Sequence, residues 1–258
     1  MAILGLVHSF VLNQRAVGNN TMNKSVQTLT ALAFAATLAG CATTGQSDPR
    51  DPLEPMNRAV FTFNDSVDKA VFKPLAKGFK AVTPRLVQSG VRNVFSNLDD
   101  VTEFANNLLQ FKIQAASSDL MRITVNTTFG ILGLFDVASE MRLPKHNEDF
   151  GQTLGRWGFH SGPYLVLPLV GSSSFRDGIG LAVDSTYLDP VYQIHPIASR
   201  NQTIAFKTVS RRADLLDASN ILEQAALDKY DYTRDFYLQR RRGLVYDGHP
   251  PPEPDDAE

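Results

Sequence analysis

The sequence predicts an all-α protein. Apolar residues recur at helical spacing through most of the chain after residue 54. Prolines fall where helices begin or stop, and clear strand-like alternation is scarce. No internal repeat is seen.

The chain begins with a segment unlike the rest. From Met22 it reads "MNKSVQTLTALAFAATLAGC". Lys24 supplies a short basic region, Leu29 to Leu38 is apolar, and Leu38-Ala39-Gly40 places small residues before Cys41. That is the layout of a secretory signal. Its apolar part is about half the roughly 20 residues a spanning helix needs. Met22 begins a complete signal by itself and is the expected start, with residues 1–40 as an extended signal in the alternative. Cys41 is the only cysteine, so there is no disulfide framework to read. A catalytic thiol needs a basic partner, and no histidine lies near it in sequence. The "LAGC" box resembles the lipobox of bacterial lipoproteins, in which the cysteine is lipidated and becomes residue one of the mature chain. Acyl chains contribute about 0.8 kcal/mol per buried CH₂, and more than one of them anchors stably. By resemblance to lipoprotein sorting, Ala42 in place of Asp points to the periplasmic face of a Gram-negative outer membrane. Residues 41–54, with "ATTGQSDPRDP", read as a flexible tether.

The helical domain is expected over residues 55–242. Pro55 suits a first helical turn, and Met56, Val60, Val67 and Val71 share one face, broadened by Phe61, Phe63 and Phe72. Pro74 is expected to break that helix; Leu75, Phe79 and Val82 make a short second one. Thr83-Pro84 reads as a cap with proline at the first helical position, followed by Leu86, Val87, Val91, Val94 and Phe95. "SNLDDVTEFANNLLQF" reads as a further helix with Leu98, Val101, Ala105 and Leu108 on one stripe. Asp99, Asp100 and Glu103 then fall in its first turns, where the helix dipole favours acids. Ile113, Ala116, Leu120 and Ile123 continue the pattern. Two apolar runs follow, "FGILGLFDVAS" and "GPYLVLPLVGSSSFRD". Each reads as a buried core strand or loop, or as a segment that dips into a bilayer or lines a cavity; neither is long enough to span one as a helix. Helical spacing returns at Ile204, Phe206, Val209, Ala213 and Leu216, and again at Ile221, Leu222, Ala225 and Leu227. Tyr230, Tyr232, Phe236 and Tyr237 then stand among Arg234, Arg240, Arg241 and Arg242, a pattern of either a membrane interface or a solvated helix end. Residues 243–258, proline-rich and acidic, are expected to form a disordered tail.

Charge and motifs exclude several functions. The chain has 25 bases and 27 acids, and only Arg15 and Lys24 precede Cys41, so the mature chain carries 23 bases against 27 acids, a net −4. A nucleic-acid binder would show a basic excess. His146, His160, His195 and His249 have no metal-ligand spacing and no cysteine partner, so no metal site is expected. "VGSSSF" lacks the second glycine of a nucleophile elbow, leaving Ser161, Ser172, Ser173 and Ser174 as weak nucleophile candidates. "GQTLGRWG" lacks the Lys-Ser/Thr of a phosphate loop. No catalytic residue and no cofactor are expected.

The ordered motifs "DPLEPMNRAVFTFND", "NLDDVTEFANNLLQ", "RITVNTTFGILGLFDVAS" and "EDFGQTLGRWGFHSGPYLVLPLVGSSSFRDGIGLAVD" resemble the MlaA (VacJ) family of outer-membrane lipoproteins, from Asp51 to about Pro190. The resemblance implies a ring-like bundle of amphipathic helices within the outer membrane, associated with a porin trimer. It implies removal of phospholipids from the outer leaflet and their delivery to the periplasmic carrier MlaC. It also implies that Gly130, Ile131, Leu132, Gly133, Leu134 and Phe135 form a movable apolar hairpin gating the lipid path, static packing being the alternative. Such a path needs polar faces inward and apolar faces toward lipid. Phe61 and Phe63 would place the first helix at the bilayer or against the ring. Arg156 and Arg176 would meet phosphate heads, or pair with Asp149 and Asp177. An envelope phospholipase and a purely structural porin-binding lipoprotein are the competing readings.

Overall fold

The computed structural model describes residues 48–252. The signal segment, Cys41 and residues 253–258 lie outside the described residues. Helix α1 (Glu54–Val67) opens with Pro55 in its first turn. One wide turn of π type (Asp68–Phe72) leads into α2 (Lys73–Val82). Pro74 therefore does not break the helix as expected. Lys73 N already bonds Asp68 O, five residues back, so the ladder is widened where a proline lacks its N–H and would strike the preceding turn. Thr83 is extended, as a residue before proline is held. The N-cap of the next helix is Pro84, not Thr83, and no side chain caps it.

Helix α3 (Arg85–Leu109) runs for 25 residues without interruption. The second helix start expected at Ser96 does not occur, so Asp99, Asp100 and Glu103 sit in mid-helix, beyond reach of the terminal dipole. Distant bases hold them instead: Lys207 Nζ and Arg211 Nη2 reach Asp99 at 2.7 and 2.6 Å.

Helix α4 (Ile113–Thr128) packs along α3. The turn Phe129–Phe135 leads to the single-turn α5 (Val137–Glu140), whose cap Asp136 accepts from Ser139 N. After α6 (Phe150–Arg156), capped by Asp149, the second apolar run forms a small hairpin. Its strands β1 (Tyr164–Leu167) and β2 (Gly171–Ser174) pair antiparallel, with Tyr164 opposite Ser174. This ribbon is the departure from a wholly helical reading. Ser174 caps α7 (Phe175–Val183). A π turn (Asp184–Leu188) and a 3₁₀ turn (Pro190–Gln193) lead to α8 (Ile197–Asp214), α9 (Leu216–Ala225) and α10 (Lys229–Val245). Helix α10 passes the boundary expected at residue 242: Val245 is buried, facing Gly155, and Asp247 pairs with Lys112.

Helix α1 holds the ribbon through two asparagines two turns apart. Asn57 donates to Tyr164 O at 3.0 Å and accepts from Val166 N at 2.9 Å. Asn64 does the same with Leu167 O and Leu169 N, at 2.9 and 2.8 Å. The two amides act as a further strand for the open edge. The apolar clusters are small, one of Ala76, Ala213 and Leu216 with Phe79, another of Tyr164, Val166 and Tyr230 with Val60, Phe61, Tyr237 and Leu238. Among the described residues, no helix is long and apolar enough to cross a membrane.

Candidate functional site

The buried face of α3 is polar. Asn97, Asp100, Glu103, Asn106, Asn107 and Gln110, spaced by one helical turn, point inward. The apolar stripe of Leu98, Val101, Ala105 and Leu108 lies on the other side, where Leu108 is exposed. From α4, Asp119, Arg122 and Asn126 face this row. Arg122, 1% exposed, lies 3.4 Å from Asp100 Oδ2 and donates to Leu143 O at 2.9 Å and Asp136 Oδ1 at 3.2 Å. Lys145 bonds Asp100 and reaches Glu103 Oε2 at 2.9 Å. Asn107 donates to Asp119 at 2.7 Å, and His146 Nδ1 lies 2.6 Å from the same carboxylate. Burial pushes the Glu103 carboxyl up to about 8; Lys145 opposes this and the charge of Asp100 adds to it. Burial likewise lifts Asp184 to about 6, although Phe150 N and Asn106 Nδ2 bond it. Buried charges are tolerated only when partnered in this way.

A second polar centre joins α6, α7 and α10. Arg241 forks onto Asp149 at 2.5 and 2.6 Å and reaches Asp177 Oδ1 at 2.9 Å. Tyr237 donates its hydroxyl to Asp177 Oδ2 at 2.5 Å, and Arg176 Nε donates to Asp177 Oδ1 at 2.9 Å. Burial works to raise Asp149 and Asp177, but Arg241 overcomes it and both stay below the ordinary carboxylate range. The close packing needs glycine: a Cβ on Gly180 would lie 2.3 Å from Gly151 N, and one on Gly151 2.4 Å from Arg241 Nη2. Beside this centre opens a cavity of about 830 Å³, lined by charged groups such as Arg176 and Asp177 and by Phe159, Leu238 and Val245.

Many large apolar side chains are exposed. Val82, Leu86 and Phe111 are 82, 87 and 83% exposed, and Phe129, Leu132, Phe159 and Tyr187 also stand out. Among the described residues, more polar and charged side chains than apolar ones are buried.

The six residues Gly130 to Phe135 form a wound turn instead of paired strands. Gly130 N bonds Val125 O, Gly133 N bonds Asn126 O and Phe135 N bonds Gly130 O. Ile131, Leu132 and Gly133 are left-handed, with φ of 52, 57 and 86°. Asn93 donates to Leu134 O, and Asp136 just beyond accepts from Asn126 and Arg122. The turn displays Ile131, Leu132, Leu134 and Phe135 and does not line the cavity. Phe61 packs edge-on to Tyr230, with ring centroids 5.5 Å apart, while Phe63 is exposed. Arg176 pairs with Asp177, but Arg156 approaches Asp247 at 3.9 Å and not Asp149. The serines have other bonds: Ser161 donates to Gly162 O, Ser172 Oγ lies 2.8 Å from Tyr164 OH, Ser173 donates to Ser174 O, and Ser174 accepts from Asp177 N. Sequence reasoning missed the Arg241–Asp149–Asp177 centre and the inward polar row of α3. The three-and-four spacing of Asn, Asp, Glu and Gln along the row is the signal by which it could have been found.

The family model for MlaA lipoprotein matches residues 49–243. The chain is 34% identical over 233 residues to the intermembrane phospholipid transport system lipoprotein MlaA of Haemophilus influenzae, covering 87% of this chain and 92% of the relative. It is 33% identical over 233 residues to the protein of that name in Escherichia coli, covering 87% and 91%. A solved structure, described as the structural basis for maintenance of bacterial outer membrane lipid asymmetry, aligns with a TM-score of 0.67. Its identity is 31%, over 76% of this chain and 98% of that one.

Proposed function

This chain belongs to the MlaA lipoprotein family, and from that premise we propose that it is the lipoprotein of an intermembrane phospholipid transport system. It carries phospholipid without covalent chemistry. Lipidated on Cys41 and seated in the outer membrane on a porin trimer, it takes phospholipids from the outer leaflet. It passes them to the periplasmic carrier MlaC, which maintains lipid asymmetry.

One observation supports this reading above others: the distribution of polarity is inverted. Phe111, Leu86 and Val82 face outward while Asp100, Asp119 and Arg122 are buried. In water, each exposed Å² of apolar surface forgoes about 25 cal/mol; against acyl chains that loss disappears. A headgroup drawn through hydrocarbon alone would lose its hydrogen bonds at a cost of several kcal/mol. An interior of amides and paired charges replaces them.

The test is genetic and chemical. Cells lacking the protein should show more outer-leaflet phosphatidylethanolamine by labelling with a membrane-impermeant amine reagent, and the plasmid-borne gene should reverse this. Unchanged labelling in the deletion strain would overturn the proposal and favour a purely structural porin-binding lipoprotein. Replacing Ser161, Ser172, Ser173 and Ser174 by alanine together should leave labelling at the wild-type level. Loss of asymmetry in a folded quadruple variant would favour the phospholipase reading instead.

A further inference from the structure

The 830 Å³ cavity between the end of α6, the start of α7 and α10 is not made by the apolar turn. We propose that it is a binding site for the phosphodiester of a single phospholipid, with Arg176 as the phosphate-recognising residue and the acyl chains leaving along Phe159, Leu238 and Val245. This rests on the transport reading and assigns a resting place within it.

Arg176 is nine-tenths buried and lines the cavity. Its Nε donates to Asp177 and its Nη1 to Phe159 O at 3.3 Å. A guanidinium has five N–H donors, so Nη2 retains donors for a ligand oxygen. Asp177 does not neutralise it alone, because that carboxylate is shared with Arg241 and Tyr237. His160 and Arg242 stand on the same wall. Guanidinium groups favour phosphate through forked, charge-assisted bonds. The remaining lining gives an acyl glycerol a surface that free phosphate would not need. Gly158 and Gly162, at φ of 92 and 66°, bend the segment carrying Phe159 and His160 around the cavity.

The experiment uses the purified full chain in dodecyl maltoside and four probes: short-chain phosphatidylglycerol, short-chain diacylglycerol, glycerophosphoglycerol and inorganic phosphate. Binding is read by calorimetry and by the emission of Trp157, the single tryptophan, which adjoins the cavity-lining Gly158. Phosphatidylglycerol should bind at least about tenfold more tightly than each of the others, the scale of one charge-assisted hydrogen bond. Arg176→Met should erase the preference over diacylglycerol, and Arg176→Lys should restore part of it. Thermal melts verify folding; should Arg176→Met not fold, the probe series on the wild-type chain decides. Equal binding of diacylglycerol and phosphatidylglycerol would remove the phosphate site. Inorganic phosphate binding as tightly as the lipid would show a free-anion site. Either result overturns this proposal while the labelling of deletion cells still reports on transport separately.

Discussion

Asn57 and Val166, 109 positions apart, meet through a 2.9 Å hydrogen bond in which the strand's N–H donates to the helix's amide oxygen. The amide nitrogen of Asn57 is also occupied, by Tyr164 O and by Asp51 Oδ1 at 2.7 Å. Asn57→Ala therefore leaves buried backbone groups and a carboxylate short of partners. The expected loss is about 2–4 kcal/mol, or a fall of roughly 4–16 °C in Tm. Melting within 2 °C of wild type would show that water replaces the amide.

Gly130 and Gly133 are required for different reasons. A Cβ on Gly130 would lie 2.2 Å from Phe135 O and 2.4 Å from Asn126 O, both backbone atoms. At Gly133 it would meet Asn97 Cβ at 2.9 Å in a left-handed backbone. At Gly90 it would meet only the flexible end of Leu134, at 3.1 Å. Gly130→Ala should cost more than about 2 kcal/mol and Gly90→Ala less than about 1, with Gly133→Ala between them. Hydrogen exchange of residues 129–135 ranks the three, and a reversed order refutes the packing of this turn.

Glu103 makes stability fall with pH. Its unfolded value is 4.5 and its folded value, raised chiefly by burial, is about 8. Across that window the folded chain keeps a proton that the unfolded chain has released. Stability is therefore fullest below 4.5, declines as pH rises and levels off above 8. Asp184, lifted from 3.8 to about 6, acts in the same direction over its own lower range. Tm should drop by several degrees between pH 5 and 9, and Glu103→Gln should flatten most of that slope. An equally steep Glu103→Gln profile would assign the dependence elsewhere.

Cys41→Ser should abolish acylation and with it stable membrane retention, since lasting attachment needs more than one anchoring signal. The variant should move from the sedimented membrane fraction toward the soluble one, or stay unprocessed. Full retention after a carbonate wash would transfer the anchoring role to the exposed apolar side chains.

Much of this protein was legible in one dimension. Proline and helical spacing located α1 and α2. The continuity of α3 was not legible, because Ser96 and the acids after it imitate a helix start. What cancels that signal, Lys207 and Arg211, lies more than a hundred residues away. The second apolar run was legible as a buried strand or loop; its pairing was not, because its edge is completed by Asn57 and Asn64 and not by a third strand.

The sequence by itself determined that the helices have two faces, and that a lone cysteine closes a signal-like segment. Which face turns inward was decided only by the tertiary structure. Periodicity separates polar from apolar residues without saying which of them is buried. Burying Asp100, Asp119 or Asp177 is tolerable only where Arg122, Lys145, His146 or Arg241 arrives to meet it. Folding sets those meetings, since the partners lie far apart along the chain.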